Sequence, residues 1–162
     1  MSLNCPRSGN PLKQIEIDGV KIDVSAECGG AWFDNYELKK FSTKDKTAGD
    51  SLLEELGKIS HPPLDLNEKL KCPKCTDVVM MRSFYSPQKQ VEIDTCPTCN
   101  GVWLDPGELT MMRELFSSDQ DKKFYVQEFA NSVMDKNLQE LRDFILPSDY
   151  VNKFLNPENK ED

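Results

Sequence analysis

Two stretches of the chain align without a gap: "SAECGGAWFDNYEL", residues 25–38, and "CPTCNGVWLDPGEL", residues 96–109. Cys28 falls on Cys99, Gly30 on Gly101, Trp32 on Trp103, Asp34 on Asp105 and Glu37 on Glu108. Each copy opens on Cys-Pro-basic, "CPRS" at 5–8 and "CPKC" at 72–75. An internal repeat constrains a fold more than composition does. Copy 1 runs from Cys5 to Phe41 and copy 2 from Cys72 to Phe116. Copy 2 reads C-x2-C, 20 residues, C-x2-C; copy 1 reads C-x2-S, 16 residues, S-x2-C. The spacers differ by an even number, which lengthens a hairpin without turning its buried face outward.

The copy 1 spacer predicts that hairpin. In "KQIEIDGVKIDV", Ile15, Ile17, Val20, Ile22 and Val24 alternate with polar residues, and Asp18-Gly19 is a type I′ turn signal. The register that follows sets Ile17 against Val20, Ile15 against Ile22 and Glu16 against Lys21. In copy 2, "VVMMRSF" and "QVEID" are the strands and "YSPQK" a looser turn. Each copy should close on a helix. Asp105 is placed as N-cap, Pro106 at the first helical position and Glu108 as the reciprocal capping-box residue, followed by "ELTMMRELF". Asp34 and Glu37 repeat this ahead of the shorter "ELKKF". Capping, rather than acid–base chemistry, accounts for these carboxylates.

Four cysteines carry the chemistry. Each C-x2-C is a tight knuckle, and two knuckles joined by a hairpin bring Cys72, Cys75, Cys96 and Cys99 into a tetrahedron. Four thiolates suit zinc, with rubredoxin-like iron as the chemical competitor. They leave no open coordination position, so such a site is structural. Copy 1 keeps only Cys5 and Cys28 and has Ser8 and Ser25 in place of the other two ligands. A neutral hydroxyl is a much poorer zinc ligand than a thiolate. Copy 1 is therefore expected to be a metal-free ribbon, with one Zn2+ per chain. Cys5 and Cys28 should still lie close enough for a disulfide under oxidation. His61, the chain's one histidine, stands beside two prolines and could reach copy 1 only if the intervening segment folds back. Trp32 and Trp103, just ahead of the helix caps, are expected as the packing centre of each unit rather than as base-stacking platforms.

On these residues the chain resembles the transcription factor IIB-like zinc ribbons, whose small members carry "CPxC … CxxCxGxWLDxGEL". The likeness covers both copies and is most specific in copy 2. It implies a ribbon fold with Cys72, Cys75, Cys96 and Cys99 as zinc ligands, and it implies no catalytic residues. Copy 1 departs from the pattern at Ser8 and Ser25.

The predicted architecture is thus a small α+β protein of two ribbon-like units, each a β-hairpin plus a short helix. Residues 1–41 form the degenerate ribbon, 42–70 a linker, 71–116 the four-cysteine ribbon and 117–162 a helix with a frayed tail. "SLLEELGKI" in the linker predicts about two helical turns, broken by "SHPPLD". In the tail, Phe129, Val133, Met134, Leu138, Leu141 and Ile145 make an apolar stripe, and Pro147 should end the helix. That stripe either covers apolar surface left by small ribbons or meets a partner, including a second copy of the chain.

Charge narrows the function. The net charge is −8, and none of the four segments is net basic, which disfavours direct nucleic-acid binding. No apolar run approaches the ~20 residues of a membrane span. The N-terminal "MSLNCPRSGN" lacks the apolar core of a signal peptide, so a reducing cytoplasmic setting is expected. No phosphate loop, nucleophile elbow or metallohydrolase pattern appears. The sequence therefore predicts a non-enzymatic zinc-binding interaction or scaffold module. Contact with the transcription machinery is the alternative, and electron transfer is a further one if the metal is iron.

Overall fold

The structure, a computed structural model, describes residues 2–88 and 90–145, with the side chains of 142–145 left outside. It divides into two units, residues 1–122 and 123–162. The first unit is built on a six-stranded antiparallel sheet. Copy 1 supplies β1 (Lys13–Ile17), β2 (Val20–Val24) and β3 (Ala31–Phe33). Copy 2 supplies β4 (Met81–Phe84), β5 (Glu92–Thr95) and β6 (Val102–Leu104). The spatial order β1-β2-β3-β6-β5-β4 is a near-mirror sequence of the two copies. Their last strands meet at the centre, where Trp32 pairs with Trp103, Ala31 with Leu104 and Phe33 with Val102.

The β1–β2 register is the one the alternation predicts, with Ile15 opposite Ile22 and Ile17 opposite Val20. Asp18 and Gly19 both take positive φ, 49° and 75°, as a type I′ turn requires. β4 begins later than the apolar run suggests. Its residues are all exposed, and the preceding segment is held by a Lys71–Val79 bridge. The central strands were not predicted. They are three residues long and mostly buried on both faces, so they carry no alternating apolar and polar pattern to read.

Side chains of a strand point alternately to the two faces of a sheet. On one face Ala31, Phe33 and Leu104 join Ile22, Phe41, Leu52, Leu109 and Met112 in an apolar core. On the other, Trp32 and Trp103 cluster with Cys5, Cys28, Cys72, Cys96 and Leu70. Helix α1 (Thr47–Gly57) is longer than the two turns predicted for the linker and buries Ala48, Gly49 and Leu52. It is tied to copy 2 through Arg113 of α2 (Glu108–Leu115). The Arg113 guanidinium donates to the carbonyls of Phe41, Thr43 and Lys46 at 2.7–3.0 Å and to Asp50 at 2.7 Å. A Cβ on Gly49 would collide with that guanidinium. The segment between the copies is thus part of the core layer. The closing "ELKKF" of copy 1 forms a single 3-10 turn, Leu38–Lys40, rather than an α-helix.

The described residues of the second unit, 123–145, belong to the long helix α3 (Asp119–Ile145). The predicted stripe residues Phe129, Val133, Met134, Leu138 and Leu141 are exposed, at 39–67%. The Ile145 side chain and Pro147 lie outside the described residues. No described helix is long and apolar enough to cross a membrane.

Candidate metal centre

The two knuckles of copy 2 meet below the sheet. The ligand atoms of Cys72, Cys75, Cys96 and Cys99 all lie within 4.8 Å of one another. Among the described residues this is the one group of three or more cysteine, histidine or acidic side chains so placed. Cys72 and Cys96 are buried, and Cys75 and Cys99 half-buried. The Cys72 and Cys99 sulfurs are 3.8 Å apart. A tetrahedron with Zn–S bonds of about 2.3 Å has edges of about 3.8 Å, so the donor set fits a four-coordinate ion in both chemistry and size. Backbone N–H groups orient the sulfurs: Cys75 and Lys74 donate to Cys72 Sγ at 3.2 and 3.4 Å. Burial pushes the Cys72 and Cys75 thiols up. Burial opposes ionisation at Cys96 too, but the Cys99 and Thr98 N–H groups and the Cys72 and Cys99 thiols outweigh it, lowering that thiol to about 7. A bound cation would overcome the remaining cost, because coordinated thiols are deprotonated.

A family model described as transcription factor zinc-finger matches residues 4–43 and again 71–113, which together make half the chain. The chain belongs to that family. Comparison with curated proteins and with solved structures finds no match. The zinc-finger pattern therefore occurs twice here, once with a full cysteine set and once with half of it.

In the first finger, Cys5 and Cys28 are buried with their sulfurs 3.4 Å apart. Ser25, buried, accepts the Cys28 N–H on its Oγ at 3.2 Å, and the Ser8 N–H donates to Cys5 Sγ at 3.4 Å. The knuckles thus keep their turns, with a hydroxyl accepting where the second finger has a sulfur. His61 does fold back. A Cβ on Gly29 would lie 3.2 Å from its ring, yet the imidazole is exposed and its Nδ1 faces the Pro62 carbonyl at 3.1 Å. It does not join Cys5 and Cys28 in a ligand group.

The rest of the repeated motif acts across the two fingers. Trp32 and Trp103 are core residues, at 1% and 0% exposure, but neither packs only within its own unit. A Cβ on Gly101 would overlap Trp32, and a Cβ on Gly30 would overlap Trp103. Each tryptophan lies on the glycine that follows the other finger's knuckle. The aspartates follow the same rule, and this corrects their expected role as helix caps. Asp105 accepts from its own Trp103 Nε1 at 3.0 Å and from both Nε and Nη2 of Arg7 in the first finger, each at 2.6 Å. Asp34 accepts from Trp32 Nε1 at 3.2 Å and from Lys74 of the second finger at 2.8 Å. With the carboxylates so occupied, the helices start later, at Glu108 after a left-handed Gly107 and at Leu38 after Glu37, with no side-chain cap. The other half of each capping box survives. Glu108 and Glu37 each accept the N–H of the preceding aspartate on Oε2 at 2.8 Å. Burial pushes the Glu108 carboxyl up to about 8, against the pull of the Asp105 N–H.

Arg7 and Lys74 were visible in the sequence only as the basic residue of "CPR" and "CPK". Their identical offset from the first cysteine of each copy was the available signal. What it signified could not be read until the sheet had placed one copy against the other.

Proposed function

We propose that this chain is a non-enzymatic, zinc-dependent interaction module, holding one Zn2+ on Cys72, Cys75, Cys96 and Cys99 and none in its first ribbon. The supporting observation is the closed set of four thiol ligands beneath a sheet shared by both copies. Four protein ligands satisfy zinc's tetrahedral coordination, so the ion stabilises the fold and has no position left for substrate. The exposed apolar residues of α3, Phe129, Val133, Met134, Leu138 and Leu141, support a role in contacting another protein or a second copy of the chain.

Native mass spectrometry on protein purified gently from its own cells tests this directly. One zinc per chain, together with a dimer or complex mass that disappears when α3 is truncated, is the expected result. Two metal ions per chain would sink the metal-free first ribbon, and iron with visible colour would replace the structural reading with an electron-transfer one.

A second reading, contact with the transcription machinery, draws on the family description. The net charge of −8 favours a basic protein surface over nucleic acid as the contact. Binding to such a surface that weakens steeply with salt would support it.

A further inference from the structure

The first ribbon retains two cysteines for which the metal site has no use. Their sulfurs are 3.4 Å apart, closer than the edge of a zinc–thiolate tetrahedron and farther than a bonded pair. Both are buried, but Ser8, whose N–H faces Cys5 Sγ, is exposed, so the pair lies one residue from water. Cys5 is the better placed to attack: the N–H of exposed Ser8 donates to its sulfur at 3.4 Å and favours the thiolate there. The four cysteines of the second ribbon would be shielded by their metal.

We propose that Cys5 and Cys28 form a reversible oxidation site for small hydroperoxides, separate from the metal centre. The Cys5 thiolate attacks the terminal peroxide oxygen; the O–O bond breaks and hydroxide or alkoxide leaves with the electron pair. This gives a sulfenic acid at Cys5. The Cys28 sulfur, already adjacent, then attacks the Cys5 sulfur. Its proton and the departing hydroxyl leave as water, and the S–S bond closes. In sum, two thiols are oxidised by two electrons and one peroxide is reduced to water and an alcohol or a second water. The product bridges the two knuckles where the second ribbon uses an ion. A two-thiol reductant restores the starting state.

The test uses the full-length, zinc-loaded protein treated with substoichiometric hydrogen peroxide, followed by intact-mass and peptide mass spectrometry and a colorimetric zinc-release assay. The expected product has lost about 2 Da, carries a Cys5–Cys28 bridge, retains its zinc and reverts with dithiothreitol. In Cys28→Ser, a dimedone adduct should appear on Cys5; in Cys5→Ser, labelling of Cys28 should be at least tenfold slower. Zinc release preceding any Cys5–Cys28 bridge would overturn the proposal. So would sulfinic acid at Cys5 in the unmodified sequence, or faster labelling of Cys28 than of Cys5. Circular dichroism of both variants checks that each is folded, and the bridge in the unsubstituted protein is decisive without them.

Discussion

The two ribbons have nearly the same backbone plan and are held by different means. The second converges four sulfurs on one point. The first has two sulfurs, two hydroxyls and the better hairpin, with Ile15, Ile17, Val20 and Ile22 in register. Their crossed ion pairs are unequal as well. Arg7 and Asp105 are buried, with side chains 4% and 5% exposed, whereas Lys74 and Asp34 are 48% and 45% exposed. The comparison teaches that the repeated Gly-x-Trp-x-Asp motif is not a metal-site accessory. It joins the copies, so it persists in the copy whose metal ligands are halved.

The strongest way to break the comparison is to remove one sulfur from each side. Cys75→Ser should abolish zinc binding and, with it, cooperative folding of the shared sheet, because a structural zinc supplies an apparent ~10–16 kcal/mol. Cys28→Ser should leave both the zinc content and the melting transition nearly intact. Thermal unfolding with parallel metal analysis separates the two, and equal losses would show that the first ribbon depends on its thiols too.

The ion pairs come next. Arg7→Met strands the buried Asp105 carboxylate and should cost about 3–5 kcal/mol in urea unfolding. Lys74→Met, at the matching exposed position, should cost about 0–1 kcal/mol. Comparable values would mean the difference in burial has no energetic weight.

Gly30→Ala and Gly101→Ala sharpen the claim that the tryptophans cross over. Each should destabilise by about 1–3 kcal/mol, since a methyl group there overlaps the other copy's indole. Pairing each with a smaller residue at the facing tryptophan should recover part of the loss only for the crossed pairs, Gly30 with Trp103 and Gly101 with Trp32.

A further effect concerns pH. The Glu108 carboxyl is raised from 4.5 to about 8 in the folded chain, so between those values the folded state holds a proton that the unfolded state has released. Stability should therefore fall as pH rises through that window. Glu108→Gln should flatten the slope of denaturation midpoint against pH, and an unchanged slope would assign it to other groups.

Much of this was legible from sequence because it depends on local chemistry. The Asp18-Gly19 turn and the period-2 alternation set β1 and β2, and the C-x2-C spacing identified the four-cysteine group. What escaped depends on how one copy sits against the other. Ala31–Phe33 and Val102–Leu104 form a strand pair buried on both faces, which leaves no periodicity. Asp105 read as a cap because the residues that outbid the helix for it are Trp103, two positions back, and Arg7, in the other copy. Arg113 looked like an ordinary helix residue, although it fastens the segment ahead of α1 by three carbonyls and α1 itself by Asp50.

The crossed contacts also alter what duplication means for this chain. When the tryptophan of one half rests on the glycine of the other, the sequence of each half is answerable to its neighbour rather than to itself. A half that keeps only two of the four cysteines is not thereby released from its motif. Specialisation of the two halves can then proceed unevenly, with ligands free to drift on one side while the interlocking residues on both sides remain mutually fixed.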